Sequence, residues 1–207
     1  MENSARSAPT LGTPGNPVKL TDPRAMRALA HPARLAIMEH LALEGPATAT
    51  ECAGIAGLSP SACSYHLRAL ARYGFVAEDR ESAADGRQRP WRALAVSFQV
   101  TSGPDQSPAA RPAARLLAQA ARSHNDQIRV DYEARESAFP RPWRAAGGWT
   151  QDVLHVTPAE LEQFRRAVTD LASRYRRLDP ADRPPGAERV LVVLDLVPWF
   201  DPSSAKD

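Results

Sequence analysis

A mainly α-helical fold with small β elements is what the sequence predicts, on three features. A capped amphipathic segment from Ser59 to Tyr73 stands between a short capped segment and a pair of β-prone runs. A long stretch from about residue 109 to residue 139 keeps helical spacing. A third capped segment begins at Thr157 and is followed by a nearly continuous apolar run, residues 189–197, of strand length.

In chain order, residues 1–20 come first. They are rich in Pro, Gly, Ser and Thr and almost free of large apolar side chains, which predicts a disordered N-terminal arm. Residues 48–56 read as a short helix closed by Gly57, with Leu58 plugging the space before the next helix. Ser59 is placed to cap that next helix, and Pro60 suits its first position, where a missing N–H costs nothing. Cys63, Leu67 and Leu70 recur at i, i+4 and i+7 on one face, whereas Ser61, Ser64, Tyr65, Arg68 and Arg72 fall opposite. No acid lies between Ser59 and Tyr73. A helix entering the major groove needs small polar groups against base edges and cations against phosphate, and this outward set supplies both. Taken alone, the segment reads equally well as a solvated amphipathic helix.

Its neighbours decide between the two readings. Downstream, GFVAED and WRALAVSF bracket ESAADGRQRP, the pattern of a β-hairpin around a Gly-containing turn. Arg87, Gln88, Arg89 and Arg92 make that hairpin basic, so it is a candidate wing able to reach DNA backbone or minor groove; a plain surface hairpin with chance arginines is the alternative. Helix, turn, helix and basic hairpin in this order, within about sixty residues, predict a winged helix-turn-helix domain.

With those pieces in place, residues 23–97 resemble the winged helix-turn-helix domain of ArsR-like bacterial transcription regulators. MRALAHPARLAIMEHL resembles the opening segment of that domain and GLSPSACSYHLRALARYGFV its reading helix and exit. The resemblance implies that Ser61, Ser64, Tyr65 and Arg68 approach bases, that Arg87, Arg89 and Arg92 approach the backbone, and that the protein is a dimeric repressor. One departure bears on mechanism. Many metal-sensing members carry Cys-x-Cys before the reading helix, and the matching positions here are Thr48 and Thr50. Cys52 and Cys63 stand where the family places aliphatic side chains, so they are expected to be small core residues. His124 is followed by Asp126 and Asp131, but no second histidine lies within a turn of it, so neither a metal nor another cofactor is expected. His31, before Pro32, reads as a residue opening a helix, and His66 borders the buried face of the reading helix; neither is given a chemical role.

Composition sets the frame. Of 207 residues, 43% are hydrophobic and 6% aromatic, which suits modest cores, and the net charge of +2 is too small to imply a nucleic-acid partner without the local pattern. Two cysteines fit a reducing cytoplasm. No run of about eighteen apolar residues and no signal-peptide pattern is present, so neither export nor membrane insertion is expected.

The predicted domains are the arm (1–20), the DNA-binding domain (21–98), a Pro, Ser and Gly-rich linker (99–110) and a C-terminal domain (111–207). Leu117, Ala121, His124, Ile128 and Tyr132 line one face of the long helix. Thr157-Pro158-Ala159-Glu160 is a capping box, and the helix it opens carries a seam of Leu161, Phe164, Val168, Leu171, Tyr175 and Leu178. Residues 189–197 read as a buried strand stopped by Pro198, with Trp149 to Val156 as its neighbour. Two strands and a helix make an α/β unit too small to bury its own apolar surface. The unit and the long helix, with Leu117 and Ile128, are therefore assigned to homodimerisation; the other reading packs the Leu161–Leu178 seam inside one chain. Trp143, Trp149, Trp199 and Phe200, with Arg141 or Arg144, form a candidate pocket for a small-molecule effector, although aromatics near turns more often plug a core.

Enzyme signatures are missing. There is no phosphate-cradling glycine loop, His-Glu-x-x-His helix or nucleophile elbow. The carboxylate pairs Asp131/Glu133 and Glu160/Glu162 are i, i+2 and point apart on a helix. The expected function is that of a non-enzymatic, sequence-specific regulator binding double-stranded DNA as a homodimer. The alternatives are a winged-helix protein-interaction module and a regulator responding to a small molecule.

Overall fold

The computed structural model describes residues 18–79, 89–95, 98–100, 107–177 and 180–199. It is mainly helical, and most of its helices begin where a side chain satisfies the free amides of the first turn. Helix α1 (Pro23–Leu29) is capped by Asp22, whose carboxylate accepts from the Arg24 N–H at 2.8 Å. Helix α2 (Pro32–Leu43) is opened by His31, whose Nδ1 accepts from the Ala33 N–H at 3.2 Å. Helix α3 (Ala49–Ala56) starts in a capping box between Thr48 and Glu51 and ends at Gly57, whose φ of 63° lies in the left-handed region that favours glycine. Helix α4 (Pro60–Arg72) is capped by Ser59, which accepts from the Ala62 N–H at 3.3 Å.

Two short ribbons frame these helices. Strands β2 (Val76–Glu78) and β3 (Trp91–Ala93) pair antiparallel with Ala77 opposite Arg92, and Ala47 bridges to Trp91 through backbone hydrogen bonds of 2.9 and 2.7 Å. The turn between those strands, Arg87 and Gln88 included, lies outside the described residues. Strands β1 (Val18–Leu20) and β4 (Phe98–Val100) pair in parallel. Within the stretch expected as an arm, Val18 and Leu20 are buried around an exposed Lys19, so the period-2 pattern places them in the core. Residues 1–17 lie outside the described set.

The core joins all these parts. Met26 and Leu29 of α1, Ile37 and Leu41 of α2, Cys52 of α3, Cys63, Leu67 and Leu70 of α4, and Phe75 beyond it form one cluster. Phe75 meets Phe98 edge to face with centroids 5.4 Å apart. Both cysteines are free thiols deep in this cluster, and burial pushes the Cys52 thiol up to about 12 and raises that of Cys63. Neither is a ready nucleophile.

Helix α5 (Ala110–Glu133) begins at the end of the stretch expected as a linker, residues 99–110. Its first turns bury Ala110, Ala113, Ala114 and Leu117, the last three inside the same core, so no separate hydrophobic core begins after a linker. Leu117, expected at a dimer interface, is a core residue of one chain. Farther along, His124 Nε2 meets Glu39 Oε2 of α2 at 2.7 Å. The helix stops at Glu133, short of residue 139, and a 3-10 turn (Glu136–Ala138) follows.

Beyond α5 the C-terminal half departs further from expectation. Helix α6 (Arg141–Ala146) is short, and helix α7 (Pro158–Ser173) has the expected capping box between Thr157 and Glu160. None of its residues is fully buried: Phe164 and Leu171 are exposed, as is Tyr175 beyond its end, whereas Leu161 and Val168 are half-buried, so the chain covers the described part of the seam only partly. Leu178 lies outside the described residues. Residues 149–156 and 189–197 form no strand, and most of their apolar side chains are exposed. The reason is physical, since a strand exists through hydrogen bonds to a neighbour and these runs have none among the described residues. Among the described residues the expected α/β unit is therefore not formed. Among the described residues the aromatic effector pocket is not formed either: Trp149 and Trp199 are 79% and 89% exposed, and Phe200 is outside that set.

Candidate nucleic-acid interface

Helix α4 carries the site, and its inner face explains why its outer face is fixed. Cys63, Leu67 and Leu70 are completely buried, so rotation of the helix would expose all three at once. The opposite face then presents Ser61, Tyr65, Arg68 and Arg72 to solvent, with Ser64 half-buried beside them. Tyr65 is 62% exposed, a large apolar ring left in water next to hydroxyls and guanidiniums. Arg68 and Arg72 have no ion-pair partner among the described residues.

The two serines differ in readiness. Ser64 Oγ donates to the Pro60 carbonyl at 2.9 Å, which leaves it an acceptor toward any ligand. Ser61 Oγ lies 3.1 Å from Ser59 Oγ and is exposed, so it can turn either way. Hydroxyl, phenol and guanidinium on one rigid face provide donors and acceptors for base edges, and cations for phosphate.

The remaining sequence candidates belong to the β2–β3 ribbon rather than to α4. Arg92 is exposed on β3 between half-buried Trp91 and Ala93. Arg89 precedes that strand and lies 3.7 Å from Glu78 Oε2 across the ribbon, an exposed pair that solvent weakens. Arg87 falls outside the described residues.

Sequence reasoning missed a second cationic group. Arg34 of α2 donates from Nε to His66 Nδ1 at 3.2 Å and from Nη1 to the Ala28 carbonyl, tying α1, α2 and α4 together. The His31 ring lies 4.6 Å from that of His66, and Tyr65 stands edge-on to His66 at 5.6 Å. Burial holds both imidazoles below the usual histidine range, with Arg34 adding to the effect on each and His31 on His66. Both rings use Nδ1 as an acceptor, which fixes them as neutral tautomers. Around this group, Arg24, Arg27, Arg34 and Arg72 converge on one open cleft. A signal for it was present, because no acid occurs between Asp22 and Glu39 while three arginines do.

Comparison with known families agrees with this geometry. A family model of the helix-turn-helix domain matches residues 29–79, which contain α2, α3 and α4 whole. The chain thus carries a helix-turn-helix domain, the kind of unit that marks DNA-binding regulators. No curated protein matches the chain. No helix among the described residues is long and apolar enough to cross a membrane.

Proposed function

We propose that this protein is a sequence-specific transcription regulator of the winged helix-turn-helix, ArsR-like kind, which binds operator DNA as a homodimer and represses by occupying it. The observation that carries the reading is the exposed, acid-free face of α4, where Ser61, Tyr65, Arg68 and Arg72 stand on a helix locked from behind by Cys63, Leu67 and Leu70. A helix so held can enter the major groove without first reorganising. The β2–β3 ribbon, with Arg89 and Arg92, acts as the wing against the backbone.

The role is one of binding rather than catalysis, and it is exercised in the cytoplasm, where two free thiols are at home. Dimerisation belongs to the C-terminal half, whose unburied α7 seam and extended apolar runs call for a partner, and a second copy supplies one with the symmetry that paired half-sites require.

Selection of bound duplexes from a random pool tests the proposal. The expected product is an enriched inverted repeat whose half-sites lie about one helical turn, ~34 Å, apart or a multiple of it. A pool that shows no enriched sequence after selection overturns the reading.

A further inference from the structure

Helix α1 and the flank of α4 enclose an open cleft of about 270 Å³ lined by Arg24, Arg27, Arg34, Arg72, Tyr65 and Tyr73, with alanines filling the remaining wall. No carboxylate lines it. Of the four guanidiniums, Arg34 is already held by His66 and the Ala28 carbonyl, which makes it a fixed charge at the back. Arg24, Arg27 and Arg72 line the same space and have no ion pair among the described residues. Asp22, the acid nearest to Arg24 in sequence, accepts from the Arg24 backbone N–H as a helix cap.

Four cations and two phenols around one open space, with no internal counter-charge, make a seat for an anion with several acceptor oxygens. Guanidinium forks match the geometry of phosphate, and tyrosine hydroxyls can donate beside them. We propose that this cleft is a phosphate seat and that the phosphate belongs to the DNA backbone flanking the bases read by α4, with Arg24 and Arg27 of α1 as its outer clamps. The proposal rests on the reading of α4 as the DNA-reading helix. Two features favour a backbone phosphate over a free ligand. Tyr65 and Arg72 belong both to the cleft and to the outward face of α4, so the two surfaces are continuous. The cleft is also open to solvent, whereas small-molecule sites enclose most of their ligand.

The experiment measures fluorescence anisotropy of the full chain on its selected operator and on an unrelated duplex across a salt series. Arg24→Ala with Arg27→Ala is expected to weaken both duplexes by the same factor. The slope of log affinity against log salt should become shallower by about 0.9, the value for the one phosphate no longer neutralised. Arg24→Lys with Arg27→Lys should restore most of the slope, and an unchanged thermal midpoint in each variant shows that the fold is intact. Full affinity and slope in the double alanine variant, while Arg68→Ala loses base preference, overturns the clamp and leaves the reading helix standing. Failure of the unaltered chain to discriminate any sequence overturns both. Isothermal titration with inorganic phosphate at fixed ionic strength provides the remaining arm. Saturable binding that Arg24→Ala and Arg27→Ala abolish, with duplex affinity untouched, would assign the cleft to a free phosphate ligand and overturn the backbone source.

Discussion

Arg68 stands exposed in the middle of the α4 outward face with no counter-ion among the described residues, flanked one turn earlier by Ser64 and Tyr65 and one turn later by Arg72. A guanidinium so placed can pair bidentately with guanine, and Arg68→Ala is expected to cost about 1–3 kcal/mol of discrimination at a single base pair. Mobility shifts on operators varied one position at a time measure this, and an unaltered preference profile would remove Arg68 from base reading. Behind it, His31 and His66 set a pH dependence. Their folded pKa values lie below the ordinary value of 6.5, so the unfolded chain binds more protons once pH approaches that value. Stability is therefore complete above pH 6.5 and is lost as pH falls through 6.5 toward the lowered values. The thermal midpoint should drop between pH of about 7.5 and about 5.5. His31→Asn, which retains a capping side chain, combined with His66→Gln should flatten that drop; an identical pH profile in the double variant would exclude the pair as its source. At this scale the sequence was informative wherever the physics is local: Ser59, Pro60 and Gly57 act on the backbone beside them, and their roles were legible. Arg24, Arg27 and Arg34 showed in the sequence only as an acid-free run, because their convergence arises only when α1 and α2 meet α4.

At the level of elements, the helices with strong local signals formed where expected, and the β elements of the C-terminal half did not. Thr48 with Glu51, and Thr157 with Glu160, close the same reciprocal pair of hydrogen bonds, and these bonds hold both glutamates below the usual carboxylate range. Thr48→Ala should therefore cost about 1 kcal/mol in a urea titration, and no measurable loss would show the cap to be idle. Residues 149–156 and 189–197 carry strand composition, but composition cannot provide the neighbouring backbone a strand needs. Helix α5 was legible as a helix while its role was not. A buried face at Ala113, Ala114 and Leu117 looks the same in sequence whether it meets its own chain or a partner. Because Leu117 is in the core, Leu117→Ala should destabilise the fold by about 2–5 kcal/mol without changing the oligomeric state. Dissociation into folded monomers of undiminished stability would return Leu117 to an intermolecular interface.

On the scale of the whole molecule, the chain divides by burial rather than by composition. Every buried apolar side chain among the described residues lies between Val18 and Leu117, and from α6 onward those residues contribute nothing to that core. The later part is nonetheless apolar where it matters. Phe164 and Leu171 are exposed on α7, and Tyr175 beyond its end, Val190, Val192 and Val197 are more exposed still. Exposed apolar side chains of this kind are costly in water. Ion pairs on α7 are confined to its other side, where Glu162 meets Arg165 and Arg166 and its carboxyl is held down to about 2. Arg183 reaches back to Glu44 and the Leu43 carbonyl, which ties the segment after α7 to the end of α2. Substituting Val168→Glu with Leu171→Glu places two charges in the seam without touching any buried residue. Sedimentation should then show a dimer for the unaltered chain and a monomer for the variant, with the melting of the α1–α5 core unchanged. Operator binding should fall while single half-site binding persists, because each protomer keeps its own α4. A variant that sediments as a dimer would move the interface off α7, and a loss of half-site binding as well would mean that the C-terminal half supports the reading helix itself.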